Sequence, residues 1–291
     1  MLCGIEVLSL EQILHLTNRV FMGNRPESIE RIKSLFDEIS PSFDSWLHSL
    51  QGRVYGYVTW EHLKKYLPEN RNSLILDAGG GTGRWTIPLA KMGYKVILCD
   101  ISQGMLTQAK SKILKENLLD RVRIVEEDLA DLSFPDEMFD FVLCEDGPIS
   151  ISDSQKIARE LGRVLREGEK IWASVLGRFP LALAELNTNP HKALKLSKSE
   201  INYVPYKGIK RSRVFNPQEI QDLFQKSDIE VIKVYGNRTA IRSLPQEIQT
   251  MTSYDEVFFS EIATLELHLS EEPSLLGMAE YLQIVGRRKS F

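Results

Sequence analysis

The chain has 291 residues, of which 43% are hydrophobic and 26% are charged, and its formal net charge at pH 7 is −4. These values are typical of an ordinary globular protein, and the length suffices for one large α/β domain or two small ones. The negative net charge gives no general attraction for nucleic-acid phosphates. The sequence contains no run of about 18 apolar residues, so no membrane span is predicted.

The first 70 residues carry helical patterns. A capping-box pattern at Ser9 precedes a first predicted helix, and Pro26 begins a second one with an apolar stripe over 29–39. A third helix is predicted over 54–67, where Pro68 stops it. No basic region precedes an apolar core at the N-terminus, so we expect no signal peptide and a cytoplasmic location.

From residue 74 onward, strand and helix patterns alternate. Strands are predicted at 74–78, 95–100, 122–126, 139–145, 170–176, 229–235 and 280–286. Helices are predicted at about 84–92, at about 103–117, from Ser152 to Gly168, from Asn216, and from Ser253 to about 270. Such alternation implies parallel strands joined by right-handed crossovers, and the near-continuous apolar runs imply a sheet that is covered on both faces.

The first strand of this series runs into a glycine-rich turn. Gly79, Gly81 and Gly83 form the pattern G-x-G-x-G, and the next strand ends in Asp100. Glycines let a ligand approach backbone N–H groups closely, and Asp100 can accept hydrogen bonds from a ribose. A dinucleotide loop has the spacing G-x-G-x-x-G instead, and Asp77 just before the turn would repel a phosphate. The pattern favours a cationic or amino-bearing ligand, and the alternative is a turn with only a structural role.

These features resemble the class I S-adenosylmethionine-dependent methyltransferases. Further segments resemble the type 11 and ubiquinone-type members of that class: D-x-S-x-x-M-L at 100–106, a variant of P-F-x-D-x-x-F-D at 134–140, and E-L-x-R-V-L-x-x-G at 160–168. The resemblance covers about residues 72–176. It implies an α/β fold with a Rossmann-like, seven-stranded, mostly parallel sheet, helices on both faces and an antiparallel last strand.

The same resemblance implies the domain organisation. Residues 1–70 would form an N-terminal helical lid or cap, and residues 71–291 would form the S-adenosylmethionine-binding domain. The alternating pattern is interrupted at about 178–212 and 238–278, which we interpret as insertions after strands 5 and 6. The segment 36–44 resembles the lid segment of the ubiquinone-type enzymes, and its aromatic residues would either close over the cofactor or pack helix against sheet.

The resemblance implies S-adenosylmethionine as the cofactor and S-adenosylhomocysteine as the product. Asp77 would bind the amino end of the cofactor, directly or through water. The backbone of Gly79, Gly81 and Thr82 would line the path of the methionine part.

On the nucleoside side, the resemblance implies five contacts. Asp100 would accept hydrogen bonds from the ribose hydroxyls, Ile101 would pack on the adenine, and Met105 would pack nearby. Asp128 would accept from the adenine amino group, and Leu129 would supply a backbone N–H.

The segment Glu145-Asp146-Gly147-Pro148 follows the fourth strand. Open parallel sheets bind ligands beyond the carboxyl ends of their strands, so this segment is expected to face the reacting methyl group, with Glu145 also bordering the cofactor. Methyl transfer from a sulfonium needs alignment and exclusion of water more than a strong base. We therefore predict Glu145, Asp146 and Tyr55 as candidate catalytic bases or orienting groups, and a plain loop is the alternative.

Metal and disulfide chemistry are not expected. Cys3, Cys99 and Cys144 are odd in number and widely spaced, and the last two lie in apolar strand runs, which favours buried thiols. The histidines have no spacing that marks a metal site.

The sequence therefore predicts a methyltransferase that transfers a methyl group to an O, N or C atom of a small molecule by in-line displacement. Two alternatives remain open: a methyltransferase acting on RNA or protein, kept open by the basic stretch near residue 210, and a non-catalytic binding subunit with the same fold. A small-molecule substrate is the expected partner, nucleic acid and a membrane span are not expected, and the protein is a monomer or a homodimer.

Overall fold

A twisted sheet forms the centre of the protein. The structure, a computed structural model, describes residues 27–290. The strands in this part of the chain are β1 (Leu74–Ala78), β2 (Lys95–Asp100), β3 (Val122–Glu126), β4 (Phe139–Cys144), β5 (Leu165–Gly177), β6 (Tyr203–Tyr206), β7 (Ile209–Phe215), β8 (Ile229–Asn237) and β9 (Tyr281–Arg288).

The order of the strands confirms the predicted fold class. Strands β3, β2, β1, β4 and β5 run parallel in that order, β9 lies antiparallel beside β5, and β8 lies antiparallel beside β9. These seven strands are the ones that the sequence predicts. The basic stretch near residue 210, whose charges favour a solvated hairpin, lies in the hairpin of β6 and β7. The sequence did not predict that β7 joins the sheet by pairing with the last two residues of β5, Leu176 and Gly177.

Helices cover both faces of the sheet. They are α1 (Ile29–Ile39), α2 (Leu50–Leu63), α3 (Thr86–Lys91), α4 (Gln103–Lys115), α5 (Pro148–Ile151), α6 (Ser154–Val164), α7 (Arg178–Ala184), α8 (Pro190–Ser197), α9 (Pro217–Gln225), α10 (Gln246–Thr250) and α11 (Glu256–Leu269). One core cluster packs α6 and α9 against one face, through residues such as Leu161 and Phe224. A second cluster packs α2, α3 and α4 against the other face, through residues such as Leu63, Leu89 and Ile113.

Several predicted helix boundaries are wrong because capping residues set them. The third predicted helix begins at Leu50, since the Ser49 side chain accepts a hydrogen bond from Gly52 N, and it ends at Leu63. Likewise Asp153 caps α6 and Asp255 caps α11, so each begins a few residues later than predicted. Gly168 does not end a helix, because β5 already begins at Leu165. The helix predicted after Ser9, the start at Pro26 and the thiol of Cys3 lie outside the described residues.

The two interrupting segments each have a structure of their own. Residues 178–212 form α7, α8 and most of the β6–β7 hairpin, and 238–278 includes α10 and α11. The second segment packs on the N-terminal helices: Leu50, Val54 and Val58 of α2 form a small core with Ile241 and Ala263. In the described range 27–290, no helix is long and apolar enough to cross a membrane.

Candidate active site

A cavity of about 880 Å³ lies at the carboxyl ends of β1, β2 and β4, and part of it is open to solvent. Ten of the twelve predicted site residues line it: Gly79, Gly81, Thr82, Asp100, Ile101, Met105, Asp128, Leu129, Glu145 and Asp146. Asp77 and Tyr55 do not line it. The structure thus brings together predicted residues from four separate segments of the chain.

The glycine turn has a backbone that only glycine adopts without strain. Gly79 has φ 71° and Gly81 has φ 53°, and a Cβ built on Gly81 would face open space in the cavity. The N–H groups of Gly79 and Gly80 both donate to the carbonyl oxygen of Cys99, at 2.8 and 3.1 Å. The turn therefore gives a ligand close access to its Cα surface, but these two N–H groups already have an acceptor.

Asp100 lies at the end of β2 with both carboxylate oxygens held by the backbone. Oδ2 accepts from Gly81 N at 3.0 Å, and Oδ1 accepts from Ser102 N at 2.9 Å. Burial raises the pKa of Asp100 to about 6, against the opposing effect of these hydrogen bonds. The carboxylate fixes the turn and the start of α4 relative to each other while it borders the cavity.

Asp77 lies beneath the glycine turn rather than in the cavity wall. Its side chain is 1% exposed, and Oδ2 accepts from Thr86 Oγ1 at 2.5 Å. Burial raises the pKa of Asp77 to about 7. In this position Asp77 ties β1 to the first turn of α3.

The predicted adenine side of the cavity combines apolar side chains with two acids, Glu127 and Asp128. Ile101, Met105 and Leu129 line it, and Asp128 Oδ1 accepts from Ala130 N at 2.9 Å. The opposite wall comes from the N-terminal segment. Ile29 and Ile32, which the sequence did not assign to a site, line it together with Phe36 and Phe43 of the segment 36–44, whose aromatic residues were expected either to close over the cofactor or to pack helix against sheet.

Two carboxylates hold this N-terminal segment against the glycine turn and α4. Asp37 Oδ1 accepts from Ser102 Oγ at 2.6 Å and from Gly104 N at 2.8 Å. Asp44 accepts from Thr82 Oγ1 and from Lys112 Nζ, each at 2.6 Å. The segment therefore closes over the cavity through direct contacts to the glycine turn and to α4.

Glu145 is buried beside the far end of the cavity and is held by three donors. Tyr55 Oη and Gln283 Nε2 donate to Oε1, the latter at 2.6 Å, and Trp172 Nε1 donates to Oε2 at 2.6 Å. Burial, followed by the nearby Asp146 carboxylate, raises the pKa of Glu145 to about 7. Burial also raises the pKa of Tyr55 well above its ordinary value. Tyr55 does not line the cavity itself, but it contacts two lining residues: it donates to Glu145, and its ring lies 5.1 Å from the Arg84 guanidinium.

Asp146 faces Arg84, a residue that the sequence analysis missed. Arg84 Nη1 donates to Asp146 Oδ2 at 3.2 Å, and Nη2 donates to the carbonyl oxygen of Gly52 at 2.9 Å. Arg84 and its neighbour Trp85 both line the cavity. Their position directly after the G-x-G-x-G pattern is the one sequence signal that could have identified them.

Trp46 joins this region to the β6–β7 hairpin. The Arg84 guanidinium lies 5.2 Å from the centroid of the Trp46 ring, and the ammonium of Lys207 lies 4.6 Å from it. Lys207 also donates to Tyr281 Oη at 3.0 Å. The Lys207 side chain thus has an exposed stem and an ammonium that packs among aromatic rings.

Comparisons with known proteins agree with this geometry. The family model described as a methyltransferase domain matches residues 75–168. The demethylmenaquinone methyltransferase of Bacteroides fragilis is 30% identical over 167 residues, which cover 55% of this chain and 66% of that one. The ubiquinone/menaquinone biosynthesis C-methyltransferase UbiE of Pectobacterium atrosepticum is 34% identical over 104 residues, which cover 35% and 41%.

Solved structures show the same fold. A Thermotoga maritima protein described as a SAM-dependent methyltransferase superposes with a TM-score of 0.58 at 21% identity, covering 88% of this chain and 99% of that chain. The [4+2]-cyclase SpnF superposes with a TM-score of 0.61 at 15% identity, covering 93% and 100%.

Residues 75–168 form a methyltransferase domain. The fold, the glycine turn and the acids of β1 and β2 agree with the predicted resemblance to the class I S-adenosylmethionine-dependent methyltransferases. The chain spans 66% and 41% of the lengths of the two curated relatives. Within residues 27–290, no group of three or more His, Cys, Asp or Glu side chains is arranged to hold a metal ion.

Proposed function

We propose that the protein transfers a methyl group from S-adenosylmethionine to a small molecule by in-line displacement. The observation that carries this proposal is the meeting, in one cavity, of the glycine turn, Asp100 and the acids after β4. The cofactor fits this chemistry, because the cavity has a side-chain-free turn, apolar walls and acids rather than a cluster of cations for phosphates. When bound, the cofactor supplies an electrophilic methyl group on a sulfonium.

The residues of the chain would then bind, orient and exclude water. Asp100, Ile101, Met105, Asp128 and Leu129 would hold the nucleoside. The lid, which we assign to the segment up to residue 70, would close the cavity through Phe36 and Phe43, whose rings meet edge to face at 6.3 Å. Water exclusion strengthens the polar contacts inside such a cavity.

Glu145 is the group that we propose to face the methyl acceptor. Its raised pKa and its three donors fit a carboxyl group that accepts a proton from the acceptor near neutral pH. Tyr55, Gln283 and Trp172 are positioning residues, since they fix both oxygens of Glu145. Acceptor atoms of O, N and C type are all compatible with this arrangement.

The names of the curated relatives suggest the first acceptors to test. Both relatives are methyltransferases of quinone biosynthesis, so we propose an aromatic, quinone-type small molecule and a cytoplasmic site of action. The structural likeness to a cyclase shows that this fold also serves other chemistry, so the methyl transfer itself must be measured.

Two measurements test the proposal. Calorimetric titration with S-adenosylhomocysteine should show binding, and incubation with radiolabelled S-adenosylmethionine and a demethylated quinol should give a labelled product that Glu145→Gln reduces. Absence of binding would favour the non-catalytic subunit. Salt-dependent retention on RNA, together with label transfer to RNA, would favour the RNA methyltransferase instead.

A further inference from the structure

The segment 178–212 differs in charge from the rest of the protein. It contains seven Lys or Arg residues and two Glu residues, a net charge of +5, so the rest of the chain carries −9 to give the formal total of −4. Such an asymmetry concentrates positive potential on one part of the surface of an acidic protein.

Part of this positive charge is available to a partner. Arg178 and Lys192 are already paired with glutamates. Lys198, at the end of α8, and Lys210, on β7, are instead exposed and have no carboxylate partner within residues 27–290. An anionic partner could therefore approach these two ammonium groups without breaking an ion pair.

Three leucine side chains of the same segment are about half exposed. Leu183 at the end of α7, Leu186 in the turn that follows and Leu194 on α8 are 53%, 51% and 51% exposed. The helices α7 and α8 pack against each other, so the three leucines lie on neighbouring elements. The segment thus combines cations with aliphatic surface, which single exposed leucines elsewhere do not.

The core packing gives the segment an inner and an outer side. Ala182 of α7, Leu196 of α8 and Val204 of β6 all belong to the second core cluster. Leu194 lies about 200° around the helix from Leu196, so it points away from that cluster. The exposed side chains of the three elements therefore share the outer side.

This outer side adjoins the edge of the cavity that the lid covers. A Cβ at Gly208, at the hairpin tip, would lie 3.2 Å from Cδ2 of Leu35 in α1. The backbone N–H of Lys210 donates to Glu27 Oε2 at 3.1 Å, just before α1 begins. Ile32 of α1 lines the cavity. Whatever binds the outer side therefore lies close to the lid.

We propose that the outer side of the segment 178–212 docks on the surface of a lipid bilayer that contains anionic phospholipids. The ammonium groups of Lys198 and Lys210 would contact the headgroups, and the leucines would enter the boundary between headgroups and acyl chains. The charge of −9 on the rest of the chain favours the orientation in which only this segment faces the membrane.

The chemistry of the exposed side chains favours a bilayer over RNA. Leu183, Leu186 and Leu194 are aliphatic and gain free energy by leaving water for lipid. Sites for single-stranded nucleic acid use aromatic rings on which bases stack. Docking would place the lid edge of the cavity at the lipid surface, where an apolar acceptor dissolves. The docking itself does not depend on methyl transfer.

Vesicle binding tests the docking with the whole chain and without an activity assay. Vesicles of phosphatidylcholine alone are compared with vesicles that contain about one third phosphatidylglycerol. We expect the wild type to sediment only with the second kind. This binding should weaken as the salt concentration rises from about 0.1 M to about 0.5 M.

A charge variant tests the role of the lysines. Lys198→Gln combined with Lys210→Gln should weaken binding to the anionic vesicles about tenfold, because both charges lie near the headgroups. The matched control is Lys110→Gln combined with Lys115→Gln, which removes two exposed lysines of α4. This control changes the net charge equally and should alter binding less than about twofold.

A leucine variant tests insertion into the lipid. Leu194→Ser should weaken vesicle binding about fivefold, because it removes an apolar side chain from the headgroup boundary. Leu265→Ser is the matched control, since Leu265 is 49% exposed on another helix, α11, beside Glu261 and Glu266. The control should bind as the wild type does.

The inference is overturned if the wild type binds neither kind of vesicle or both kinds equally, or if the control variants lose as much binding as the variants of the segment. Retention on RNA that requires Lys198 and Lys210, without binding to vesicles, would overturn it in favour of an RNA contact. None of these outcomes bears on methyl transfer, and failure to bind S-adenosylhomocysteine would refute the proposed function while leaving the vesicle result unchanged.

Discussion

The contact between the lid and α4 can be tested with Gly104→Ala. Gly104 lies in the first turn of α4, directly under the end of α1. A Cβ at this position would lie 2.6 Å from Ser40 Oγ, 3.0 Å from Asp37 Cα and 3.1 Å from Asp37 O. Ser40 Oγ is a side-chain atom that can rotate away. The two Asp37 atoms belong to the backbone of the lid and cannot. The lid must therefore move for alanine to fit.

Two effects of opposite sign compete in this variant. Replacing glycine by alanine inside a helix stabilises it by about 0.5–1 kcal/mol. Overpacking costs about 1–3 kcal/mol, and a displaced lid also weakens the hydrogen bonds from Gly104 N and Ser102 Oγ to Asp37. We expect the second effect to win, so that the free energy of unfolding falls by roughly 1–2 kcal/mol.

Equilibrium urea unfolding measures whether the free energy of unfolding rises or falls. Trypsin cleavage after Lys33 reports release of the lid. Ser111→Ala is the matched control, because Ser111 is exposed on α4 and gains helix propensity without meeting the lid. If Gly104→Ala were stabilised as much as the control, with unchanged cleavage, the lid would not be docked where the structure places it.

Two further predictions concern the acids of the site. Asp100→Ala should weaken S-adenosylhomocysteine binding by about 1–3 kcal/mol, because it removes a charge-assisted acceptor; unchanged affinity in calorimetry would contradict its role. For Asp77 the folded-state pKa of about 7 lies above its ordinary value of 3.8, so its contribution to stability is complete below pH 3.8 and is lost as pH rises through 7. As pH rises from 4 to 8, the free energy of unfolding of Asp77→Asn, measured in urea, should increase by roughly 2–4 kcal/mol relative to that of wild type. If the difference between the two proteins does not change with pH, the raised pKa of Asp77 is refuted.

The strands and the glycine turn were predictable because their signals are local. Continuous apolar runs identify buried parallel strands, and the observed bounds of β2 and β3 agree with the prediction. The turn and Asp100 are separated by one helix, so their meeting follows from the crossover connection alone. Helix ends were less accurate because one side chain such as Ser49 or Asp153 decides them.

Contacts between distant segments could not be derived in the same way. Arg84 and Asp146 are 62 positions apart, and Tyr55 and Glu145 are 90 positions apart. The second pair depends on how α2, which carries Tyr55, packs against the sheet. The first pair depends on β1 and β4 being neighbours in the sheet. The charges near residue 210 favour a solvated hairpin, but the bounds of β6 and β7 and the pairing of β7 with β5 could not be predicted. The residues mix polar and apolar types, and the short pairing leaves no periodic signal.

The position of Trp46 has a consequence for how the cavity opens. The Trp46 ring packs on two cations: Arg84, which follows the glycine turn, and Lys207, at the tip of the β6–β7 hairpin. Gly208 at the same tip comes close to Leu35 of α1, since a Cβ there would lie 3.2 Å from Cδ2 of that leucine. Withdrawal of Trp46 would therefore remove one aromatic contact from each cation at once, although Trp85 would still contact Arg84 and Tyr206 would still contact Lys207. We expect a movement of Trp46 to change the surroundings of the glycine turn and of the hairpin tip together.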